Sequence, residues 1–226
     1  TETTGPLTMS DRIGNKTGYV GHALLCNEVR LGEGGELQAR GGSIMRGYHG
    51  EPELTKEAFT EDGWLKTGDI AQIDADGNVK ITGRAKEIIV TAGGKNVAPE
   101  VLEERLKGHP LISQVMVVGD NKPFVAALVT LDKEMLPTWL KNHGMAQMDV
   151  TRAARDPRVL EALQRAVQRT NRAVSRAESI RKIKIITTDW TTENGMLTPS
   201  LKIKRNRIRS AYGEQIEDLY AKTNKK

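Results

Sequence analysis

Residues 83–95 read GRAKEIIVTAGGK. Charged residues (Arg84, Lys86, Glu87) run into Ile88, Ile89 and Val90, and these into a Gly-Gly-Lys loop. The chain has a different texture on either side of this stretch. Between Gly21 and Gly83, short glycine-punctuated strand candidates dominate, at 28–31, 35–40, 70–73 and 78–82. Ala75-Asp76-Gly77 separates the last two, and an Asp-Gly pair supplies the positive φ of a hairpin turn. Asp74, Asp76 and Asn78 have the opening spacing of a calcium loop. The later glycine and distant glutamate of that loop are missing, so the segment reads as a hairpin.

After Gly83 the pattern is α+β. Residues 87–91 read as a strand, Pro99 stands where a first-turn proline belongs, and VLEERLK runs as a helix to Gly108. Strands are expected at 115–119 and 124–131, helices at 136–143 and 157–176, and a further strand around Ile183 and Ile185. One last amphipathic helix carries Ile208, Tyr212, Ile216 and Leu219. The domain boundary falls at 83–87, which makes the quoted stretch a connection between domains.

At 226 residues the chain has room for one large or two modest cores, and with 4% aromatics these are built from aliphatic side chains. No apolar run approaches the roughly 20 residues that span a bilayer. Cys26 is the sole cysteine, which suits a reducing, cytoplasmic setting. Four scattered histidines without metal-ligand spacing argue against a metalloenzyme or a Cys-His nucleophile. No glycine-rich loop ending in Lys-Ser/Thr is present. Between Arg181 and Arg209 eight basic residues face two acids, Asp189 and Glu193. Such a cluster suits an anionic partner, although taken alone a solvated basic face is the better reading of it.

Three segments can carry chemistry. In GWLKTGDI (63–70), Asp69 follows Thr67-Gly68 at a strand start. A carboxylate there can accept both hydroxyls of a ribose, and taken alone it is also an ordinary turn or cap residue. TAGGKNVAP (91–99) is a small-residue loop, open to a thin ligand arm, that leads into a helix start. In GMLTPSLKIKRNRI (195–208), Lys202 follows a Pro-Ser turn, where a lysine can act as a mobile point charge or simply sit in solvent.

The order of these segments carries a resemblance. Thr-Glu at residues 1–2, GELQARGGSIMRGYHGEPELTKEAF, DGWLKTGDI, GRAKEIIVTAGGKNVAPEVLE and LTPSLKIKR follow the order and spacing of the adenylate-forming enzymes. Within that superfamily the chain resembles bacterial long-chain fatty acid–CoA ligases over essentially its whole length.

The resemblance implies an α+β protein. Residues 1–83 would be the β-rich tail of a large N-terminal adenylation domain, 84–86 a hinge, and 87–226 a small mobile domain with an antiparallel sheet and flanking helices. It also implies roles for single residues. Thr1 and Glu2 match a motif at the ATP site whose glutamate helps hold Mg2+. Asp69 matches the aspartate that grips the ribose, and Arg84 an arginine that contacts the nucleotide. Lys86 matches the hinge residue, and Lys202 the catalytic lysine. Gly93, Gly94 and Lys95 match the loop lining the coenzyme A path. Much of the superfamily has glycine before that lysine; Leu201 stands here, as in the long-chain branch.

On this resemblance the substrates are a fatty acid, ATP and coenzyme A, without nucleic acid, and with peripheral membrane contact left open. The 226 residues read as part of a longer enzyme and are expected to be inactive alone. Two other readings stay in play: an acyl- or aryl-adenylating domain that loads a carrier protein, and a basic nucleic-acid-binding module. The 181–209 stretch has only Trp190 to interleave with its charges, which weighs against the second.

Overall fold

The structure, a computed structural model, describes residues 1–11 and 15–221. It divides into two compact units, Thr1–Ile88 and Ile89–Lys226. The division comes just after the 83–87 stretch.

In the first unit, β1 (Thr8–Met9) pairs with β2 (His22–Ala23). A four-stranded antiparallel sheet follows, in the order β3 (Asn27–Leu31), β4 (Glu36–Gly41), β5 (Leu65–Ile73), β6 (Val79–Arg84). Leu37, Ala71 and Val79 are buried at its centre, with Leu7, Val29, Ile73 and Ile81 packed around them. Helix α1 (Pro52–Ala58) starts on a proline, whose fixed φ suits a first turn. The Asp74–Asn78 segment is the expected hairpin. Asp74 Oδ1 accepts the backbone N–H groups of Asp76 and Asn78 at 3.0 and 2.9 Å, and Gly77 takes φ 84°. No group of three or more metal-ligating side chains occurs among the described residues.

The expected strand at 87–91 is shorter than its sequence suggests. Ala85–Glu87 form a single 3-10 turn, and only β7 (Ile89–Val90) is extended, paired with β8 (Asn96–Val97) across the TAGGK loop. Exposed Lys86 and Glu87 have no apolar face to bury, so extension begins where Ile89 enters the core.

The second unit is built on β10 (Val125–Leu131), buried along all seven residues. Val125, Ala127, Val129 and Leu131 belong to one core cluster, and Ala126 and Leu128 to another. Successive side chains of a strand point to opposite faces, so one central strand supplies both cores. The first cluster is covered by α2 (Pro99–Lys107), α3 (Met135–Asn142) and α5 (Pro157–Asn171), with α4 (Val150–Ala153) between the last two. The second is covered by α6 (Arg205–Ala211) and α7 (Gly213–Ala221) around Trp190.

Strand β9 (Ile112–Val118) runs antiparallel to β10, whereas β11 (Ile180–Ile186) runs parallel to it. The α+β class stands, with one parallel pair inside its sheet. Three helices lie between β10 and β11, and a connection of that length is what a parallel pair requires.

Two further differences concern helix ends. Helix α5 stops at Asn171, whose side chain exchanges hydrogen bonds with the backbone of Ile180, at 2.9 Å each way. The last helix is two helices, broken at Tyr212.

Candidate functional site

Within the first unit a cavity of about 400 Å³ is lined by residues that include Glu2, Tyr48, Lys66, Thr67, Asp69 and Arg84. Three expected nucleotide contacts, Glu2, Asp69 and Arg84, therefore meet in one place. Thr1 is exposed and does not line it.

Local folding explains how Asp69 is aimed. Gly68 takes φ 72°, a conformation that L residues adopt only at a cost. The β4–β5 and β5–β6 ladders both slip register nearby, between Glu36 and Gln38 and between Ile70 and Ala71. Such bulges redirect side chains. The Asp69 N–H donates to Thr67 Oγ1 at 3.1 Å, and Thr67 Oγ1 donates to the Leu37 carbonyl at 2.7 Å. Asp69 then faces Arg84 in register, with Arg84 Nε 2.8 Å from Asp69 Oδ1. The Tyr48 hydroxyl donates to Glu2 Oε1 at 3.2 Å. The Glu2 carboxyl is held below the ordinary carboxylate range, first by its own backbone N–H and then by Tyr48. Tyr48, Lys66 and Thr67 escaped the sequence reading, since nothing in RGYHG marks a tyrosine that folds back onto residue 2.

In the second unit, the 91–95 loop is a closed turn. The Thr91 N–H donates to the Lys95 carbonyl at 3.0 Å, the Gly94 N–H to the Thr91 carbonyl at 2.8 Å, and the Lys95 N–H to Thr91 Oγ1 at 3.2 Å. Gly94 takes φ 74°, and Gly93, Gly94 and Lys95 are all exposed. Lys95 Nζ lies 3.8 Å from Glu178 Oε1. Glu178 is held below its usual range, first by its hydrogen bond from Ser175.

Lys202 is exposed on a hydrogen-bonded turn. The Thr198 N–H donates to the Lys202 carbonyl at 2.8 Å, the Leu201 N–H to the Thr198 carbonyl at 2.9 Å, and the Lys202 N–H to Thr198 Oγ1 at 3.1 Å. Leu197 bridges Ile203, and Leu201 closes the turn at φ 60°. Three residues later Arg205 is anchored: its guanidinium donates twice to Glu103, at 2.8 and 2.6 Å. Glu103 Oε1 also accepts the Val117 N–H at 2.7 Å. The turn is thus fixed at its root while the Lys202 ammonium forms no ion pair among the described residues.

The basic 181–209 stretch is partly spent inside its own unit. Lys182 Nζ donates to the Leu219 carbonyl at 2.6 Å, Lys184 Nζ lies 3.7 Å from Asp218, and Arg205 holds Glu103.

Residues 86–224 match the family described as the AMP-binding enzyme C-terminal domain. The chain belongs to this family of adenylate-forming enzymes. It is 48% identical over 222 residues to the long-chain-fatty-acid–CoA ligase FadD15 of Mycobacterium bovis, covering 98% of this chain and 37% of that protein. A human relative named long-chain-fatty-acid–CoA ligase 6 is 34% identical over 226 residues, covering 91% of this chain and 31% of the relative. The chain therefore spans only about a third of the length of these relatives. Among solved structures, it is similar to the A domain of a carboxylic acid reductase from Segniliparus rugosus, in complex with AMP and a co-purified carboxylic acid. That similarity has 30% identity and a TM-score of 0.67, over 83% of this chain and 28% of that one. ATP-bound MatB from Rhodopseudomonas palustris is similar at 25% identity with a TM-score of 0.64, over 93% of this chain and 39% of that one. No helix among the described residues is long and apolar enough to cross a membrane.

Proposed function

We propose that this chain forms the C-terminal part of an AMP-forming long-chain fatty acid–CoA ligase. The observation that carries the reading is the meeting of Glu2, Asp69 and Arg84 at one cavity, in a chain 48% identical to a ligase of that name. In the first half-reaction a fatty carboxylate oxygen attacks the α-phosphorus of ATP, and the bond to pyrophosphate breaks. In the second, the sulfur of coenzyme A attacks the acyl carbon of the adenylate, and AMP leaves.

Asp69 accepts the ribose hydroxyls, and Arg84, held beside it, adds a charge-assisted contact to the nucleotide. Glu2, kept ionised, would hold Mg2+ together with the nucleotide phosphates, since that ion is commonly bound through one or two carboxylates and substrate oxygens. When bound, the ion neutralises phosphoryl charge. Lys202 brings the mobile cation that stabilises the phosphoryl transition state.

The lysine has to withdraw before the thiol can enter. A change of backbone torsions at Lys86 exchanges it for the Gly93-Gly94-Lys95 face along the pantetheine path. Transfer to a carrier protein is less supported, because the relatives at 48% identity are named CoA ligases. The exposed lone Cys26 suits a reducing cytoplasm, and any membrane contact is peripheral.

The test is a hybrid enzyme in which this chain replaces the matching 37% of the M. bovis relative. The hybrid is expected to release pyrophosphate in the presence of palmitate and to form palmitoyl-CoA. Lys202→Ala should lower adenylate formation by at least roughly a hundredfold. It should spare thioester formation from pre-made palmitoyl adenylate. Equal loss in both halves would remove Lys202 from its role.

A further inference from the structure

Leu201 sits where leucine is a poor choice. The segment Thr198-Pro199-Ser200-Leu201-Lys202 is a tight turn with proline second, closed by a residue in the left-handed region at φ 60°. Turns of this build favour glycine or asparagine at the closing position, because a Cβ there is strained. The hydrogen bonds that shape the turn use the Leu201 N–H and the atoms of Thr198 and Lys202, and none needs a leucine side chain. That side chain is 65% exposed and takes no part in the three core clusters. It serves neither the turn nor the core, yet it occupies a strained position directly before the mobile lysine. A strained, solvent-facing apolar residue at such a place points to a contact made only when substrate is bound.

We propose that Leu201 is a specificity-determining residue that packs on the alkyl chain of the fatty acid beside its reacting carboxyl group. The proposal rests on the ligase reading above. Leu201 and Lys202 are consecutive and both exposed, so one turn presents an apolar and a cationic side chain together. A fatty carboxylate joins a charge to a hydrocarbon chain, and Lys202 with Leu201 offers a cation next to an apolar surface. An acid whose carboxyl is flanked by polar atoms gains nothing from the leucine.

The experiment uses the hybrid described above with Leu201→Gly, Leu201→Asn and Leu201→Met. Glycine and asparagine fit the left-handed position and remove the apolar contact, whereas methionine keeps it. The first two are expected to raise the KM for palmitate roughly tenfold, the worth of one buried leucine. The KM for ATP should stay unchanged, and Leu201→Met should stay near the parent. The thermal midpoints of the glycine and asparagine variants should equal or exceed the parent's, because backbone strain is relieved. An unchanged palmitate KM, a parallel rise in the ATP KM, or a lower thermal midpoint overturns the assignment. A parent hybrid that shows no palmitate-dependent pyrophosphate release overturns the ligase reading itself, before any variant is compared.

Discussion

Asp69 and Arg84 face each other across the β5–β6 ladder, with Arg84 Nε 2.8 Å from Asp69 Oδ1. The arginine side chain is 53% exposed, so the pair adds little to folding stability. Its value lies in holding a carboxylate and a guanidinium ready at the cavity. Arg84→Ala in the hybrid should therefore leave the thermal midpoint nearly unchanged and weaken AMP binding about tenfold or more, the worth of one hydrogen bond to a charged group. Calorimetric titration with AMP measures this. Wild-type affinity would show that Arg84 serves only Asp69.

The Glu103–Arg205 pair behaves in the opposite way. Their side chains are 9% and 16% exposed, and Glu103 also accepts a backbone N–H from β9. Removing one partner leaves a charge with little solvent, at a cost of about 3–5 kcal/mol, whereas replacing both with apolar groups is far milder. Glu103→Met should lower the urea midpoint of this chain strongly, and Glu103→Met with Arg205→Met should recover much of the loss. If the double variant is no more stable than the single one, the pair is not an isolated unit.

Acid should loosen the first unit in a narrow window. Asp62 is held at about 2 against an ordinary 3.8, first by its hydrogen bond from Arg30, and Asp74 likewise at about 2, first by Lys16. A carboxyl lowered in the folded state contributes stability above its unfolded value and loses it as pH falls through its folded value. The contribution is complete above 3.8 and disappears towards pH 2. Both groups lie at the surface, so the effect is modest and salt-sensitive. Urea midpoints followed across this window should fall with pH, and Asp62→Asn with Asp74→Asn should flatten the slope. An unaltered slope would remove these pairs from the account.

What the sequence made legible follows from which interactions are local. Within the first sheet, β5 and β6 are joined by an Asp-Gly turn, so that hairpin could be read directly, although β5 begins at Leu65 and not at residue 70. Strand β8 has two residues and owes its existence to pairing with β7 across the glycine loop. The end of α5 was missed because Asn171 is occupied by Ile180, nine positions on. Asp69 and Arg84 were recognisable by resemblance, but their pairing depends on register slips that no residue pattern announces. Tyr48 reaches Glu2 from 46 positions away, a contact that only the folded chain creates.

Lys86 lies in the 3-10 turn Ala85–Glu87, exposed, two residues before the first unit ends. Two properties could matter there, its charge and its torsional freedom, and two substitutions separate them. Lys86→Ala removes the charge and leaves the backbone free. Proline fixes φ near −65° and also restricts Ala85 before it. If the residue is a pivot, Lys86→Pro in the hybrid should slow thioester formation from palmitoyl adenylate at least about tenfold while adenylate formation changes little. Lys86→Ala should leave both halves near the parent rate. Single-turnover measurements of each half-reaction decide between the two. A proline variant with normal thioester formation refutes the pivot, and an alanine variant as slow as proline shows that the ammonium, and not the torsion, is what the second half requires.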